Sequence, residues 1–472
     1  MTHVCVIGAG PAGVTAAVRA AELGARASLI TSDEFGGMAA NDGPVPVRTL
    51  AHAARLLRDA GQLHRYGIRV SEPVLEFPRL LERVREVVVD ARQHSSFREL
   101  IDKLGVAVHE HTGGARFTDP KTIRTRSGLQ LTADKFIICT GGVSRTLAVP
   151  GSELTVTHSD AWSLKSVPAS LLVIGAGATG VQVASIFNAF GSRIQLFQSG
   201  PRILPAEDED VSVGVASAFR ESGIVVRESF GDIESFERTS TGVRMNFIKE
   251  SARSSADATL AVIAIGWISN TKDLDLAVAG VETNSRGFVQ VDAWQRTSAG
   301  HIFAAGDVTG ALMLVPQAIQ SGFIAATNAV HGASVKLEDQ VSPIGSFTDP
   351  EYAQVGMTEQ KAREAHEVIT AVVNFDSTTR TIIDGRTLGF CKLIVDRATS
   401  RILGCHVVGE RAVEITQVAA IAIAGGMRVH ELAQVPLSYP TYAGILGRVA
   451  AKAAHELKLK MNWVANQVKY AA

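Results

Sequence analysis

The stretch Val4-Cys5-Val6-Ile7-Gly8-Ala9-Gly10-Pro11-Ala12-Gly13 leaves a chain few ways to fold. An apolar run ending in G-x-G-x-x-G, followed over residues 14–23 by apolar positions at helical spacing, predicts a buried strand, a tight turn and a helix folded back onto the strand. Gly8 turns the chain, Gly10 lets backbone approach a bound group, and Gly13 brings helix and strand into contact. The helix start, at Pro11 and Ala12, then offers oriented N–H groups suited to a pyrophosphate. Alone, the pattern is weak evidence, since a glycine-rich turn without a ligand also fits it. A second copy shifts the reading: residues 171–180 end in Gly175-Ala176-Gly177-Ala178-Thr179-Gly180 and lead into a helical pattern over 181–190 and a strand over 193–197. Two such units imply two dinucleotides, and the common reason to bind two is electron transfer between a flavin and a nicotinamide.

Length and charge narrow the partners. The chain has 472 residues, enough for two or three domains with their own cores. Lys and Arg number 46 against 47 Asp and Glu, so no global field favours nucleic acid or an anionic membrane, and small-molecule partners are expected. No apolar run reaches the roughly 18 residues of a spanning helix, and the N-terminal run has no basic leader, so a soluble, cytoplasmic protein is expected. Cys5, Cys139, Cys391 and Cys405 are far apart, form no C-x-x-C pair and sit in apolar runs. They read as small buried residues, and no metal site is expected.

After the first unit, the strand over 27–31 ends at Thr31, where an acid normally binds the adenosine ribose; the Thr31 hydroxyl can substitute, with Asp33 or Glu34 within reach. The segment 36–50 and a helical pattern over 51–60 follow. Here the chain resembles the flavin-dependent pyridine nucleotide–disulfide oxidoreductases. In that family the segment reads G-G-T-C-V-N-x-G-C-V-P-S-K, and its cysteines form a redox disulfide beside the flavin. Gly36, Gly37, Asn41, Gly43, Val45 and Pro46 match. The two cysteines align with Ala39 and Pro44, the family lysine with Arg48, and its glutamate partner with Gln182.

The resemblance runs on through Thr140-Gly141-Gly142, similar to the family's A-T-G turn, and residues 264–271 with Gly266, similar to A-x-G-R-x-P-N-T. It continues through residues 297–308 ending in Gly306-Asp307-Val308, the most specific flavin signal, and a helix over 315–330 directed at the flavin's pyrimidine side. From about 344 the strands, turns and apolar helix 413–425 resemble the family's dimerisation domain. That domain ends in H-P-T-x-x-E in the family; here the stretch is Ser438-Tyr439-Pro440-Thr441-Tyr442-Ala443-Gly444, with Tyr439 for His and Gly444 for Glu.

The resemblance implies an α/β fold: two dinucleotide-binding Rossmann-like domains and a C-terminal α+β dimerisation domain. The implied boundaries are 1–150 with 272–342 for FAD, 151–271 for NAD(P) and 343–472 for the dimer interface. FAD is expected at Gly8, Gly10, Pro11, Ala12, Gly13, Thr31, Gly37, Thr140, Gly141, Gly306 and Asp307. The nicotinamide coenzyme is expected at Gly175, Gly177, Thr179, Gly180, Gln198, Ser199, Arg202 and Gly266. Gln198 is neither an acid that repels a 2′-phosphate nor an Arg that attracts one; Ser199 and Arg202 favour NADPH slightly, with NADH tolerated.

Arg48, Gln182 and Tyr439 are the expected catalytic residues, Tyr439 supplied by the partner of a homodimer. With neither thiols nor a His–Glu pair, the implied activity is an FAD-dependent NAD(P)H oxidoreductase passing electrons from flavin directly to an external, quinone-like acceptor. An NAD(P)H oxidase, a metal or thiol reductase of the same fold, and a non-catalytic redox-sensing flavoprotein are the alternatives. Three segments are expected to be merely structural: a single charge-laced helix over 77–104, a solvated helix start at 207–210, and a packed or frayed tail over 456–472 containing Lys458, Lys460, Trp463 and Lys469, whose rival reading is a membrane-surface anchor.

Overall fold

The structure, a computed structural model, describes residues 1–93, 96–338 and 341–463; Lys469 lies outside them. The first glycine unit opens a five-stranded parallel sheet whose strands stand in the order Ile302–Ala304, Lys135–Ile138, His3–Ile7, Arg26–Ile30, Ala107–His109. Val4 to Ile7 are buried on both faces, as a parallel strand covered by helices requires. Helix Pro11–Glu22 covers one face together with helix Val315–His331. The two approach so closely that a Cβ at Gly322 would stand 2.2 Å from the Ala12 carbonyl oxygen.

The second unit builds another parallel five-stranded sheet, ordered Val225–Glu228, Arg193–Gln198, Ser170–Ile174, Leu260–Ile263, Val156–Thr157. An antiparallel three-stranded sheet over 232–258 packs on it through Phe197, Phe230 and Phe247, whose rings meet edge to face at 5.2 to 5.7 Å. The third five-stranded sheet is antiparallel and spans 344–409, with helices Ala412–Ala424 and Gly444–Glu456 against it. No helix among the described residues is long and apolar enough to cross a membrane.

Three expectations change. The helix expected over 51–60 begins at Pro44 and runs to Ala60. Pro44 and Pro46 fall in its first turn, where no intrahelical amide is needed, so they start the helix instead of delaying it. The single segment expected over 77–104 is two helices, Phe77–Gln93 and Ser96–Lys103. Finally, the acidic run 207–210 is no solvated helix start, since Glu207 and Asp208 are buried. Asp208 caps helix Glu209–Glu221, accepts the Glu359 amide at 2.9 Å, and takes a 2.8 Å hydrogen bond from the buried ammonium of Lys392. Lys392 also meets Asp210 at 2.6 Å and Glu359 at 2.7 Å, so the run ties the second sheet to the third.

Candidate active site

Parallel sheets gather the turns at their C-terminal edges, and that edge is where ligands sit in open α/β sheets. In the first sheet three such turns, far apart in sequence, become neighbours: Gly8–Gly13 after His3–Ile7, Thr140–Gly141 after Lys135–Ile138, and Gly306–Asp307 after Ile302–Ala304. Gly8 has φ +110°, and a Cβ there would lie 2.1 Å from the Cys139 carbonyl oxygen. A Cβ at Gly13 would lie 1.8 Å from the Gly8 carbonyl oxygen, which is the helix-on-strand contact that its position predicts. Gly37 also presses on Gly10, with a Cβ 2.6 Å from the Gly10 Cα, so the short helix Gly37–Asn41 starts against the first glycine turn. Gly306, at φ +76°, abuts Ala12 and is held by its amide donating to Ser321 Oγ at 3.0 Å.

Several polar groups around this edge have no protein partner. Helix Pro11–Glu22 has no side-chain cap, which leaves its first-turn amides free of side-chain acceptors. Thr140 Oγ1 and Asn41 Oδ1 are buried without hydrogen bonds. The Asp307 carboxylate accepts no hydrogen bond among the described residues, and burial raises its pKa above the ordinary carboxylate value. Unpartnered buried donors and acceptors beside an open glycine turn suit a ligand carrying a pyrophosphate and hydroxyls. Thr31 is different: its hydroxyl turns to the Glu34 carbonyl at 3.5 Å, and its own carbonyl accepts the Thr112 hydroxyl at 2.8 Å.

The second crevice repeats the geometry. Gly175 has φ +95°, and a Cβ at Gly180 would lie 1.8 Å from the Gly175 carbonyl oxygen, whereas one at Gly177 would meet nothing within 4 Å. Thr179, half-buried, stands in the first turn of helix Ala178–Ala189, which also lacks a side-chain cap. Gly266, at φ +103°, likewise faces open space. Gln198 accepts the Ala176 amide at 3.1 Å, so its carboxamide braces the glycine turn. Ser199 is exposed. Arg202 donates to the carbonyls of Glu207 at 3.0 Å and Pro205 at 3.2 Å, which commits its guanidinium to its own loop.

The strand pair Gly142–Ser144 and Trp267–Ser269 joins the crevices, since one strand leaves the Thr140–Gly141 turn and the other leaves Gly266. Asn270 closes the join, its amide donating to the Gly141 carbonyl at 3.0 Å. This ribbon also holds residues that the sequence reading missed: His158, Asp42, Ser159 and Ser144 converge at it beside Trp267. Only Trp267 had left a signal, standing where the A-x-G-R-x-P-N-T motif has Arg.

Arg48, Gln182 and Tyr439 make no hydrogen bond or ring contact with one another within this chain, although the helices bearing Arg48 and Gln182 pack together. Arg48 is exposed on helix Pro44–Ala60, its guanidinium 3.4 Å from the Phe347 ring centroid. It borders a cavity of about 360 Å³ rich in charged groups, including Arg55, Glu351 and Glu410. Gln182 donates back to Ala178 of its own helix at 3.1 Å. Tyr439 is 74% exposed, with its hydroxyl 2.9 Å from Thr379 Oγ1, while Tyr442 donates to Asp384 at 2.8 Å. The cysteines are free and buried. Burial pushes the thiols of Cys5 and Cys139 up to about 12, and a hydrogen bond with Cys405 together with burial holds Cys391 well above its ordinary value. Among the described residues no cluster of three or more His, Cys, Asp or Glu could hold a metal ion.

Comparison with known proteins agrees with this geometry. Residues 2–322 match the pyridine nucleotide-disulphide oxidoreductase family, and residues 342–450 match its dimerisation domain. A mercuric reductase of Lysinibacillus sphaericus is 31% identical over 93% of this chain and 80% of its own length. Dihydrolipoyl dehydrogenase 2 of Haloarcula marismortui is 31% identical over 96% of this chain and 97% of its own. Among solved structures, the HOCl-induced flavoprotein disulfide reductase RclA of Escherichia coli superimposes with a TM-score of 0.84 at 26% identity, covering 95% of this chain and 99% of that one. Family members bind FAD and NAD(P)H, and the unpartnered polar atoms of the first crevice and the open glycine turn of the second fit that pair. Turns, ribbon and relatives therefore place this chain in the pyridine nucleotide-disulphide oxidoreductase family, among the FAD-dependent NAD(P)H oxidoreductases.

Proposed function

We propose that this chain takes hydride from NAD(P)H at the second crevice and passes electrons through FAD at the first directly to an external acceptor of the quinone class, without a disulfide relay. The observation that carries the reading is where the sulfur lies. Residues 36–48 contain no cysteine, with Ala39 and Pro44 at the matching positions, and all four thiols of the chain are buried elsewhere. A buried thiol held at about 12 is a poor nucleophile at neutral pH, so neither Cys5 nor Cys139 is suited to thiol exchange.

FAD supplies the two-electron chemistry, and the chain orients it. The uncapped helix start after Gly10 would hold its pyrophosphate, Thr140 and Asp307 would hold hydroxyls of its ribityl chain or ribose, and helix Val315–His331 would present its positive end to the ring. Gly175 to Gly180 would hold the coenzyme's pyrophosphate. Gln198 and Arg202 are both engaged with backbone, which supports use of NADH as well as NADPH. Arg48 and the partner's loop at Tyr439 would border the acceptor in a homodimer, an arrangement supported by the dimerisation-domain match.

Anaerobic dithionite titration tests the relay: the expected end point is two electrons per FAD with no thiolate-to-flavin band, and a reproducible four-electron end point overturns it. Reoxidation of the reduced protein by a panel of quinones, measured by stopped flow, tests the acceptor. Failure of every quinone where ferricyanide succeeds would refute the acceptor class alone.

A further inference from the structure

The ribbon between the crevices carries a cluster of proton-handling side chains. Asp42 follows the short helix Gly37–Asn41, whose Gly37 lies against the first glycine turn. Its Oδ2 stands 3.8 Å from His158 Nε2 and accepts the Ser159 hydroxyl. Ser159 Oγ is also 3.5 Å from His158 Nε2, and Ser144 Oγ is 3.2 Å from Nδ1. The rings of Trp267 and Trp162 stand edge-on to the imidazole, at 5.0 and 6.3 Å between centroids. His158 is 3% exposed, whereas the Asp42 side chain keeps 31% of its surface, so the pair has one closed end and one open end. Asn41 Oδ1, beside Asp42 in sequence, and Trp162 Nε1 are buried without partners.

The charged groups that meet the imidazole are Asp42 and Asp160. Burial lowers the His158 pKa, and the two carboxylates oppose it. A desolvated imidazole walled by tryptophans keeps two polar outlets, Asp42 with Ser159 at Nε2 and Ser144 at Nδ1.

We propose that Asp42 and His158 are the proton-handling pair of the flavin site: Asp42 gives a proton to the acceptor, and His158 is the positioning residue that refills it. The proposal rests on the direct-acceptor reading. Reduction of a quinone by NAD(P)H consumes one further proton: NAD(P)H, H⁺ and quinone give NAD(P)⁺ and hydroquinone. The nicotinamide is oxidised, and the electron pair with one proton reaches the quinone by way of the flavin. Asp42 supplies the second proton, its O–H bond breaking as the quinone oxygen gains one; His158 Nε2 returns a proton to Asp42 by way of the Ser159 hydroxyl, and Ser144, half-buried at Nδ1, passes a proton from solvent to His158.

The test compares anaerobic reoxidation of the NADH-reduced holoenzyme by benzoquinone, which takes up protons, with reoxidation by ferricyanide, which takes electrons alone. In Asp42→Asn and His158→Gln the ratio of benzoquinone to ferricyanide rates is expected to fall about a hundredfold, the usual scale of acid–base catalysis. The wild-type benzoquinone rate should fall as pH rises through the His158 pKa, and that dependence should vanish in both variants. A second measurement needs no turnover: the His158 resonance in oxidised, FAD-loaded protein should titrate at still lower pH in Asp42→Asn, because a carboxylate that raises its pKa is gone. Asp42 is half-exposed, so this variant keeps the test open if His158→Gln does not fold. An unchanged ratio in Asp42→Asn, or a His158 titration that Asp42→Asn does not move, overturns the pair. A wild-type enzyme that ferricyanide reoxidises and quinones do not overturns the acceptor reading instead, and the His158 titration tells the two failures apart.

Discussion

Asp307, half-buried, and Glu207, buried, are both carboxyl groups with raised pKa values, but they make opposite demands. Asp307 has no partner among the described residues and faces the first crevice, so a ligand hydroxyl can supply its hydrogen bond. Asp307→Asn is expected to weaken FAD retention by ~1.5–3 kcal/mol, the range for a hydrogen bond to a charged group, read as flavin fluorescence released on dilution. Full retention would remove Asp307 from the site. Glu207 is raised from 4.5 to about 7, mainly by burial. Its folded form binds a proton that the unfolded chain has released, so stability falls as pH rises from about 4.5 to about 7. Glu207→Gln should stabilise the protein above that window by up to roughly 3 kcal/mol and flatten the pH dependence of urea unfolding. The flattening is partial because Glu351, also held near 7, acts with the same sign.

At the scale of elements, stability concentrates where helices and sheets from different parts of the chain are tied together. Lys392, on a strand of the third sheet, binds Asp208 and Asp210 at a helix start from the second unit and Glu359 from a further helix. Burial lowers its pKa, but the hydrogen bonds to Asp208, Asp210 and Glu359 outweigh burial and leave the net shift upward. Lys392→Met removes the only cation bonded to Asp208 among the described residues, so a loss of ~3–5 kcal/mol is expected in denaturant unfolding. The contact between helices Pro11–Glu22 and Val315–His331 is tested by Gly322→Ala, whose methyl would stand 2.2 Å from backbone. Separating the helices should cost ~1–3 kcal/mol and release flavin, because both helices begin at the first crevice. Unchanged stability would mean that the interhelical contact relaxes freely.

For the whole molecule, the open question is what covers the outer surface of the third sheet's unit. Tyr439, Ile382, Ile383 and Leu388 are all more than half exposed, and Ile421 on the apolar helix Ala412–Ala424 is 74% exposed. Exposed apolar groups on a unit matching a dimerisation domain are expected to be buried by a second copy. Sedimentation should find a species of twice the 50.0 kDa chain, and Tyr439→Phe should slow reoxidation by the acceptor more than reduction by NAD(P)H. A fully active monomer would sink the shared site.

The local sequence determined the two glycine turns, because Gly8, Gly13, Gly175 and Gly180 occupy positions where a Cβ would collide with backbone within the same unit or a neighbouring strand. It determined the apolar parallel strands for a related reason, since only an uninterrupted apolar run survives burial on both faces. It also placed Gly306-Asp307 at the first crevice, through a motif that can be read in a few residues. Tertiary structure alone decided that Glu207 and Asp208 are buried, because the lysine that holds Asp208 lies 184 residues away and leaves no local trace. It alone brought Asp42 to His158, 116 residues apart by number, because that contact depends on the ribbon joining two sheets and not on any spacing along the chain. Local steric constraints can be read from a single segment, whereas the ionic environment of a side chain depends on which distant segments fold against it.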